Sequence, residues 1–549
     1  MIKLWQAALA AAMFMPTAWA AGPSHDLKEE GFGAAQGVLV SAAADALTNV
    51  GAQLSGSSGP LAAMAAEGNT LLSDGEALRR QLDRLADDPT PEAEARRKAV
   101  QIQIDANQNA LERFRQRLVD VFPAYAELTS PRPISSADVR AILNPGEGML
   151  LIVPTEFATY TFALTHERFE WQRSALTATD VANRVAKLRC NLDAELCKDK
   201  KTAATFDRQA AYDLYREFVA PAKDTFKGSK TIFVLTAGAL QSLPLEVLRT
   251  VPPDTDVPGN GGWLVDDYAM LTLPAVSSLI SLRCYMPRDT AQHYSGCHRL
   301  VAQSGRSTGT LAFAGVGDPK LEGEATGEER RDASTRINYV RDGLAIPENL
   351  RRLPPLRGTR EELERLSALF HSGPETLLLE SAATETNVKQ SAPVRNARIL
   401  VFATHALMGN EGTGGGEPGL VMTPPEKATE ADDGLLTGSE VAALKLSADF
   451  VVLSACNTAR TGDDLNADGL AGLARAFFFA GARTMLVSHW RVFDDVPKIL
   501  MADTFAALAQ APQDGRALAF QTAVLALKAR PNQQEPSRWG AFILVGDTQ

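Results

Sequence analysis

Two residues of this 549-residue chain are spaced to carry out acyl transfer through a thiol. The run Arg398-Ile399-Leu400-Val401-Phe402-Ala403-Thr404 ends in His405, and Asp449-Phe450-Val451-Val452-Leu453-Ser454-Ala455 ends in Cys456. Both runs read as buried strands of a parallel sheet, where end residues emerge at the carboxyl edge and open α/β sheets place their sites. Adjacent strands lie about 4.8 Å apart, so His405 and Cys456 can face each other across a cleft if their strands are neighbours. A thiol has a pKa of about 8.5, and a nearby imidazole supports the thiolate that attacks a peptide carbonyl. The same imidazole returns the proton to the departing amine. The attacked carbonyl becomes an oxyanion that needs fixed donors. The backbone N–H groups of Ala406 and Cys456 are the nearest candidates. Singly, a cysteine after an apolar strand is most often a core thiol, and a lone loop histidine is incidental. The signal lies in the pair, each residue closing a strand, in this order.

The elements that must position this pair have an α/β texture from about residue 135 onward. Strands are expected at 149–153, 158–164, 231–235, 311–315, 376–379, 398–404, 449–454, 483–488 and 541–545. Helices are expected at 359–371, 438–445, 469–480, 494–510 and 515–529. Continuous apolar strands joined by helices imply a mainly parallel sheet buried on both faces. Thr437 and Glu440 have the capping-box spacing of a helix start. The stretches 251–262, 318–335 and 409–419 read as loops. Earlier, Leu78, Leu82 and Leu85, then Val100, Ile104, Leu111, Phe114, Leu118 and Val121, recur at helical spacing on either side of Asp88-Pro89-Thr90-Pro91. A coiled-coil-like helical hairpin over 67–135 follows, a brace or an arm for self-association or an activating partner through 67–122. No 34-residue repeat is present.

Composition narrows the class. Hydrophobic residues make up 45% and charged residues 22%, as in ordinary globular proteins. A formal net charge of −11 disfavours a nucleic-acid binder. Residues 1–20 read as a signal peptide: Lys3, an apolar run from Leu4 to Met15, then Ala18-Trp19-Ala20 before the cut. The mature chain is then expected to be exported, periplasmic or secreted, with no membrane segment, because no later run reaches the length of a span. Residues 21–66, rich in Ala, Gly and Ser, read as a linker or loosely packed helical stretch. In an oxidising compartment the five cysteines favour the local pairs Cys190–Cys197 and Cys284–Cys297. Cys456 is left over, as a reactive thiol would be.

Several segments resemble the CHAT domain family, a branch of the caspase–separase clan of cysteine peptidases. Leu356-Arg357-Gly358-Thr359-Arg360-Glu361-Glu362 is similar to the family's helix start. Phe402-Ala403-Thr404-His405 resembles its histidine block, and Leu453-Ser454-Ala455-Cys456-Asn457-Thr458 its cysteine signature. The runs Gly469–Phe477, Trp490–Asp495 and Trp539–Gly546 resemble the elements that follow, and 238–248 and 264–279 resemble upstream ones. The likeness covers most of 136–549. It implies a caspase-like sheet with a degenerate N-terminal half, 136–335, and a catalytic half, 336–549. It also implies endopeptidase chemistry on protein substrates by a His405–Cys456 dyad. The order and separation of about fifty residues match caspases. The family usually has Gly after the histidine; here it is Ala406, which resists backbone conformations that Gly permits. A catalytically silent domain that binds partner proteins is the alternative reading.

By the same likeness, strand 483–488 should lie beside the cysteine strand, with Ser488, His489 and Trp490 bordering the substrate cleft and His489 a second candidate base. Asp463 and Asp464 would favour a basic substrate side chain. The chemistry requires no cofactor or metal. Asp464, Asn466 and Asp468 match the opening of a calcium loop, but Arg475 stands where an EF-hand needs Glu, so only a non-standard calcium site fits there. The glycines of 412–419 lack the Lys-Ser/Thr of a phosphate loop. Gly315-Val316-Gly317 reads as a turn. Segments 318–335 and 409–434 are candidate processing sites for an enzyme activated by self-cleavage.

Overall fold

The structure is a computed structural model that describes residues 27–39, 67, 71, 74, 78, 90–121, 133–193, 206–255, 257, 260–284, 309–323, 338–341, 344–356, 358–407, 418–454, 473–474, 476–478, 480–490 and 495–548. It separates into two units, Met1–Ala42 with Pro133–Gln549, and Ala43–Arg132.

In the larger unit the strands, in chain order, are β1 (Glu147–Pro154), β2 (Thr159–Thr165), β3 (Phe169–Ser174), β4 (Thr231–Thr236), β5 (Ala269–Thr272), β6 (Leu311–Pro319), β7 (Val340–Arg341), β8 (Leu344–Ala345), β9 (Leu377–Glu380), β10 (Ala397–Ala403), β11 (Ala406–Leu407), β12 (Gly419–Val421), β13 (Leu435–Thr437), β14 (Phe450–Leu453), β15 (Thr484–Ser488) and β16 (Phe542–Gly546). Eleven of them form one sheet in the order β3-β2-β1-β4-β5-β16-β15-β14-β10-β6-β9. Strands β1, β4, β5 and β16 run parallel. So do β15, β14, β10, β6 and β9. The two groups meet antiparallel at β15–β16. This is the mainly parallel, helix-flanked sheet that the sequence implies. Its central strands are apolar and buried along their whole length, as in β14 and β15, because helices cover both faces.

Each expected strand is present, with ends shifted by two residues at most except in β6, which continues to Pro319. That continuation corrects the reading of Gly315-Val316-Gly317 as a turn. A Cβ on Gly317 would stand 2.5 Å from the Ala403 carbonyl oxygen and 2.8 Å from Leu363 Cδ1. The glycine lets the Thr359–Leu369 helix and β10 close on β6, which sets the depth at which the histidine strand lies. Strands β3 and β5 escape the pattern: β3 alternates polar residues on an edge, and β5 is only Ala-Met-Leu-Thr.

Residues 27–39, expected to belong to a linker or loose helix, form a well-packed helix. Phe32, Ala35 and Leu39, on one face, are buried. Phe32 lies 5.8 Å from Phe162 and 5.5 Å from Phe169, ring to ring. Gln36 exchanges two hydrogen bonds with the Ile134 backbone at 2.8 and 2.9 Å. Two aromatic and aliphatic anchors among small residues suffice, because alanine favours the helix and lets it sit close to the sheet.

A buried ion cluster ties the sheet's far end together. Arg283, at the end of the Val276–Cys284 helix, donates to Glu147 at 2.7 Å and to Asp547 at 2.8 Å. These two carboxylates outweigh its burial and hold the guanidinium charged.

In the smaller unit the helix Pro91–Val121 buries Val100, Ile104 and Phe114. Arg117 pairs with Glu67, and Asn107 Nδ2 donates to the Leu71 carbonyl at 2.9 Å. As one partner moves forward in sequence the other moves back, which is antiparallel contact. Among the described residues no helix is long and apolar enough to cross a membrane.

Candidate active site

The geometry of the site follows from strand register. Phe402 of β10 pairs with Leu453 of β14, and Leu453 pairs with Val487 of β15. His405, Cys456 and Trp490 each follow these paired residues by three positions in the sequence. The topology thus brings the histidine and cysteine segments to one level of one sheet edge. Cys456 itself lies outside the described residues, as do Asp463, Asp464, Asn466 and Asp468, and, of the candidate processing segments 318–335 and 409–434, residues 324–335 and 409–417.

His405 is held by contacts that sequence reasoning missed. Its Nε2 lies 2.8 Å from the main-chain carbonyl oxygen of Pro354. A carbonyl only accepts, so Nε2 carries the proton and Nδ1 is the basic nitrogen. Nothing in the residue types near Pro354 signals this contact, because it uses backbone alone. The peptide after His405 is fixed too: Val421 N–H donates to the His405 carbonyl at 2.8 Å, and Thr404 Oγ1 donates to the Val421 carbonyl.

That bond to Val421 decides how Ala406 is oriented. Ala406 opposes Leu420 in the antiparallel β11–β12 pair. With Val421 N–H on the His405 carbonyl, Ala406 and Leu420 form a non-hydrogen-bonded pair, and the Ala406 N–H points away from β12. Ala406 is in strand conformation and is absent from the positive-φ residues of the described chain. The family's glycine is therefore not required here, and alanine causes no strain.

On the cysteine strand, Ser454 N–H donates to the Phe402 carbonyl at 2.9 Å, continuing the ladder past β14. Ser454 Oγ lies 3.3 Å from Glu362 Oε2. Glu362 closes the Leu356–Glu362 motif, and its helix presents this buried carboxylate to the chain two residues before Cys456.

The β12–β13 sheet that grips His405 is anchored by its own cluster. Glu385 Oε2 accepts the N–H groups of Asp433 and Gly434 at 3.0 and 3.2 Å. Lys389 bridges Glu385 and Glu440, 2.7 Å from the latter. Burial, with Glu440 close by, pushes the Glu385 carboxyl well above its usual range, to about 9.

Ser488, His489 and Trp490 depart from expectation. Each is only 2% exposed, so none presents its side chain to an open cleft. Strand β16 lies on the outer side of β15, and His489 N–H donates to the Ala541 carbonyl at 2.8 Å. Trp490 Nε1 donates to the Ser537 carbonyl at 2.9 Å. Burial, with help from the Arg189 charge, lowers the His489 pKa to about 3, so it is a neutral interior histidine and not a base at physiological pH.

Cys190 is disulfide-bonded. Cys197, Cys297 and the side chain of Cys284 lie outside the described residues. Among the described residues no group of three or more His, Cys, Asp or Glu side chains is arranged to hold a metal.

The CHAT domain model matches residues 208–547. The chain belongs to the CHAT domain family. Mouse Tetratricopeptide repeat protein 28 is 24% identical to this CHAT protein over 372 residues, covering 62% of the chain and 13% of the relative. The chain thus spans about an eighth of that relative's length. Among solved structures, the Saccharomyces cerevisiae separase–securin complex is similar at a TM-score of 0.41 and 9% identity, covering 99% of this chain and 42% of that one. The Arg-specific cysteine proteinase gingipain R is similar at a TM-score of 0.33 and 9% identity, covering 74% and 78%.

Proposed function

We propose that this CHAT protein is an exported cysteine endopeptidase that cleaves protein substrates with a His405–Cys456 dyad. The observation that carries the reading is the 2.8 Å bond from His405 Nε2 to the Pro354 carbonyl, at the end of the strand beside the one that leads to Cys456. It leaves Nδ1 as the proton acceptor.

In this reading Nδ1 takes the Cys456 thiol proton, and the thiolate sulfur bonds to the substrate carbonyl carbon. The carbonyl π pair moves to oxygen, where the Ala406 and Cys456 N–H groups stabilise it. Collapse breaks the C–N bond, and the imidazolium gives its proton to the leaving amine. Water, deprotonated by Nδ1, then attacks the thioester and releases the acid and the thiol. The neutral tautomer held by Pro354 suits both halves of this cycle.

The main support for the silent-domain reading is Ala406, and the ordinary strand backbone there favours the enzyme. Residues 67–122 serve in this proposal as a docking or self-association arm, and 1–20 as the export signal. Calcium at Asp464–Asp468 remains part of the proposal only as an activator.

The test is covalent labelling of purified protein by a peptidyl acyloxymethyl ketone, with and without calcium. Labelling of wild type, lost in Cys456→Ala and His405→Ala, supports the enzyme. No labelling of folded wild type in either condition refutes it. Sequencing the N-terminus of protein recovered outside the cytoplasm tests export; a chain beginning at Met1 rejects cleavage.

A further inference from the structure

His405 is gripped by two segments that are far apart in the chain. The first runs from β8 through the short helix Pro347–Arg351 to Pro354, whose carbonyl accepts the imidazole Nε2–H. The second is β12–β13, whose Val421 N–H donates to the His405 carbonyl. The two segments share a small core of their own. In it Ala345, Leu350 and Leu353 of the first meet Leu407, Val421 and Leu435 of β11, β12 and β13. Apolar contact is non-directional. By itself it does not hold the Pro354 carbonyl on the imidazole to the tolerance of a hydrogen bond.

One side chain supplies the direction. Asp433 is buried and lies two residues before β13 begins. Its Oδ2 accepts the Ala345 N–H of the first segment at 2.7 Å. Its Oδ1 accepts the Leu435 N–H of the second at 2.9 Å. Its own N–H donates to Glu385 at 3.0 Å. Met422 N–H donates to the carbonyl of the next residue, Gly434, at 2.8 Å, which carries the connection to the neighbour of Val421. A carboxylate is hard to bury here. Burial raises the Asp433 carboxyl above its usual range, and Glu440 adds to that. A neutral amide is easier to bury, but only the ionised carboxylate is an acceptor on both oxygens. Asparagine would turn its NH2 toward one of the two N–H groups. The residue type matches a bridge between segments.

We propose that Asp433 is a positioning residue for His405: it clamps the segment that ends at Pro354 to β12–β13, and so sets how firmly the imidazole Nε2–H is held and Nδ1 presented as the base. The inference rests on the peptidase reading for its effect on catalysis. Asp433 acts through the two segments and not on the reacting atoms. Arg351 also donates to the Pro425 carbonyl across the same junction. Loss of the Asp433 clamp therefore loosens the grip on His405 without abolishing it.

Two readouts separate the claims. In protein carrying nitrogen-15 histidine, exchange of the His405 Nε2 proton with water reports the grip, its signal assigned by its loss in His405→Ala. Saturation kinetics with a peptidyl acyloxymethyl ketone give kinact and KI. Asp433→Asn is expected to speed the exchange about tenfold and lower kinact about tenfold, with KI within about twofold, because the base and not the substrate is loosened. Exchange in folded Asp433→Asn equal to that of wild type overturns the positioning role while leaving the peptidase standing. So does faster exchange with kinact unchanged, or a wild-type proton that exchanges like that of an exposed histidine. Wild type with a slowly exchanging Nε2 proton that no peptidyl ketone labels overturns the peptidase reading, and this inference with it. If Asp433→Asn does not fold, Asp433→Ser is read in its place. Its single hydroxyl oxygen can stay on the Leu435 N–H but releases Ala345, so exchange about tenfold faster is again expected, and unchanged exchange contradicts.

Discussion

His405 donates its Nε2–H to the main-chain carbonyl of Pro354, 2.8 Å away and fifty-one residues earlier in the chain. The bond fixes the tautomer and the ring orientation through a backbone acceptor. Because the acceptor is backbone, changing the side chain at 354 should matter little. Pro354→Ala is expected to keep kcat/KM within about fivefold of wild type. His405→Ala should lower it by about 10²–10⁴-fold, the usual contribution of a general base. Parallel cleavage assays of the two variants check the contrast.

Ala406 stands in strand conformation, so restoring the family's glycine should bring no benefit. Ala406→Gly is expected to destabilise the protein by about 0.5–1 kcal/mol through added backbone freedom. Cleavage should not rise. Thermal melting and peptide cleavage of the variant test both statements.

The strands themselves were legible because β1, β4, β10, β14, β15 and β16 are continuous apolar runs, the signature of strands buried on both faces. The motif residues His405 and Ser454 fell at the strand ends that the runs imply. Side-chain environment was not legible. Ser488, His489 and Trp490 close a strand as His405 does, yet β16 and the segment around Ser537 cover them. Pro354 reaches His405 over a long sequence separation and through a carbonyl, so periodicity carries no trace of it. The glycines of β6 looked like punctuation because a glycine that admits a neighbour's backbone resembles one that makes a turn.

Gly317 offers a packing test. A methyl group there meets the Ala403 carbonyl and Leu363 at 2.5 and 2.8 Å. Gly317→Ala should cost about 1–3 kcal/mol by overpacking. It should also depress cleavage, since Ala403 lies two residues before His405. Differential scanning calorimetry with activity measured below the transition reads both effects.

His489 should make the protein acid-sensitive. Its folded pKa, about 3, is below that of an exposed histidine. The folded state therefore binds fewer protons, and the stability linked to this group is present above about pH 6.5 and lost as pH falls toward 3. Between pH 6.5 and 5 the loss is about 2 kcal/mol. His489→Gln should flatten this part of the profile. Melting temperatures of both proteins from pH 8 to pH 5 check it; parallel curves would contradict the assignment.

The most direct test of the dyad is intact-mass analysis of the purified protein after exposure to a peptidyl acyloxymethyl ketone, alongside Cys456→Ala and His405→Ala. The account predicts one adduct on wild type, mapped to Cys456, with none on Cys456→Ala and markedly slower labelling of His405→Ala. Folded wild type that gains no adduct, or an adduct that persists in Cys456→Ala, would contradict it.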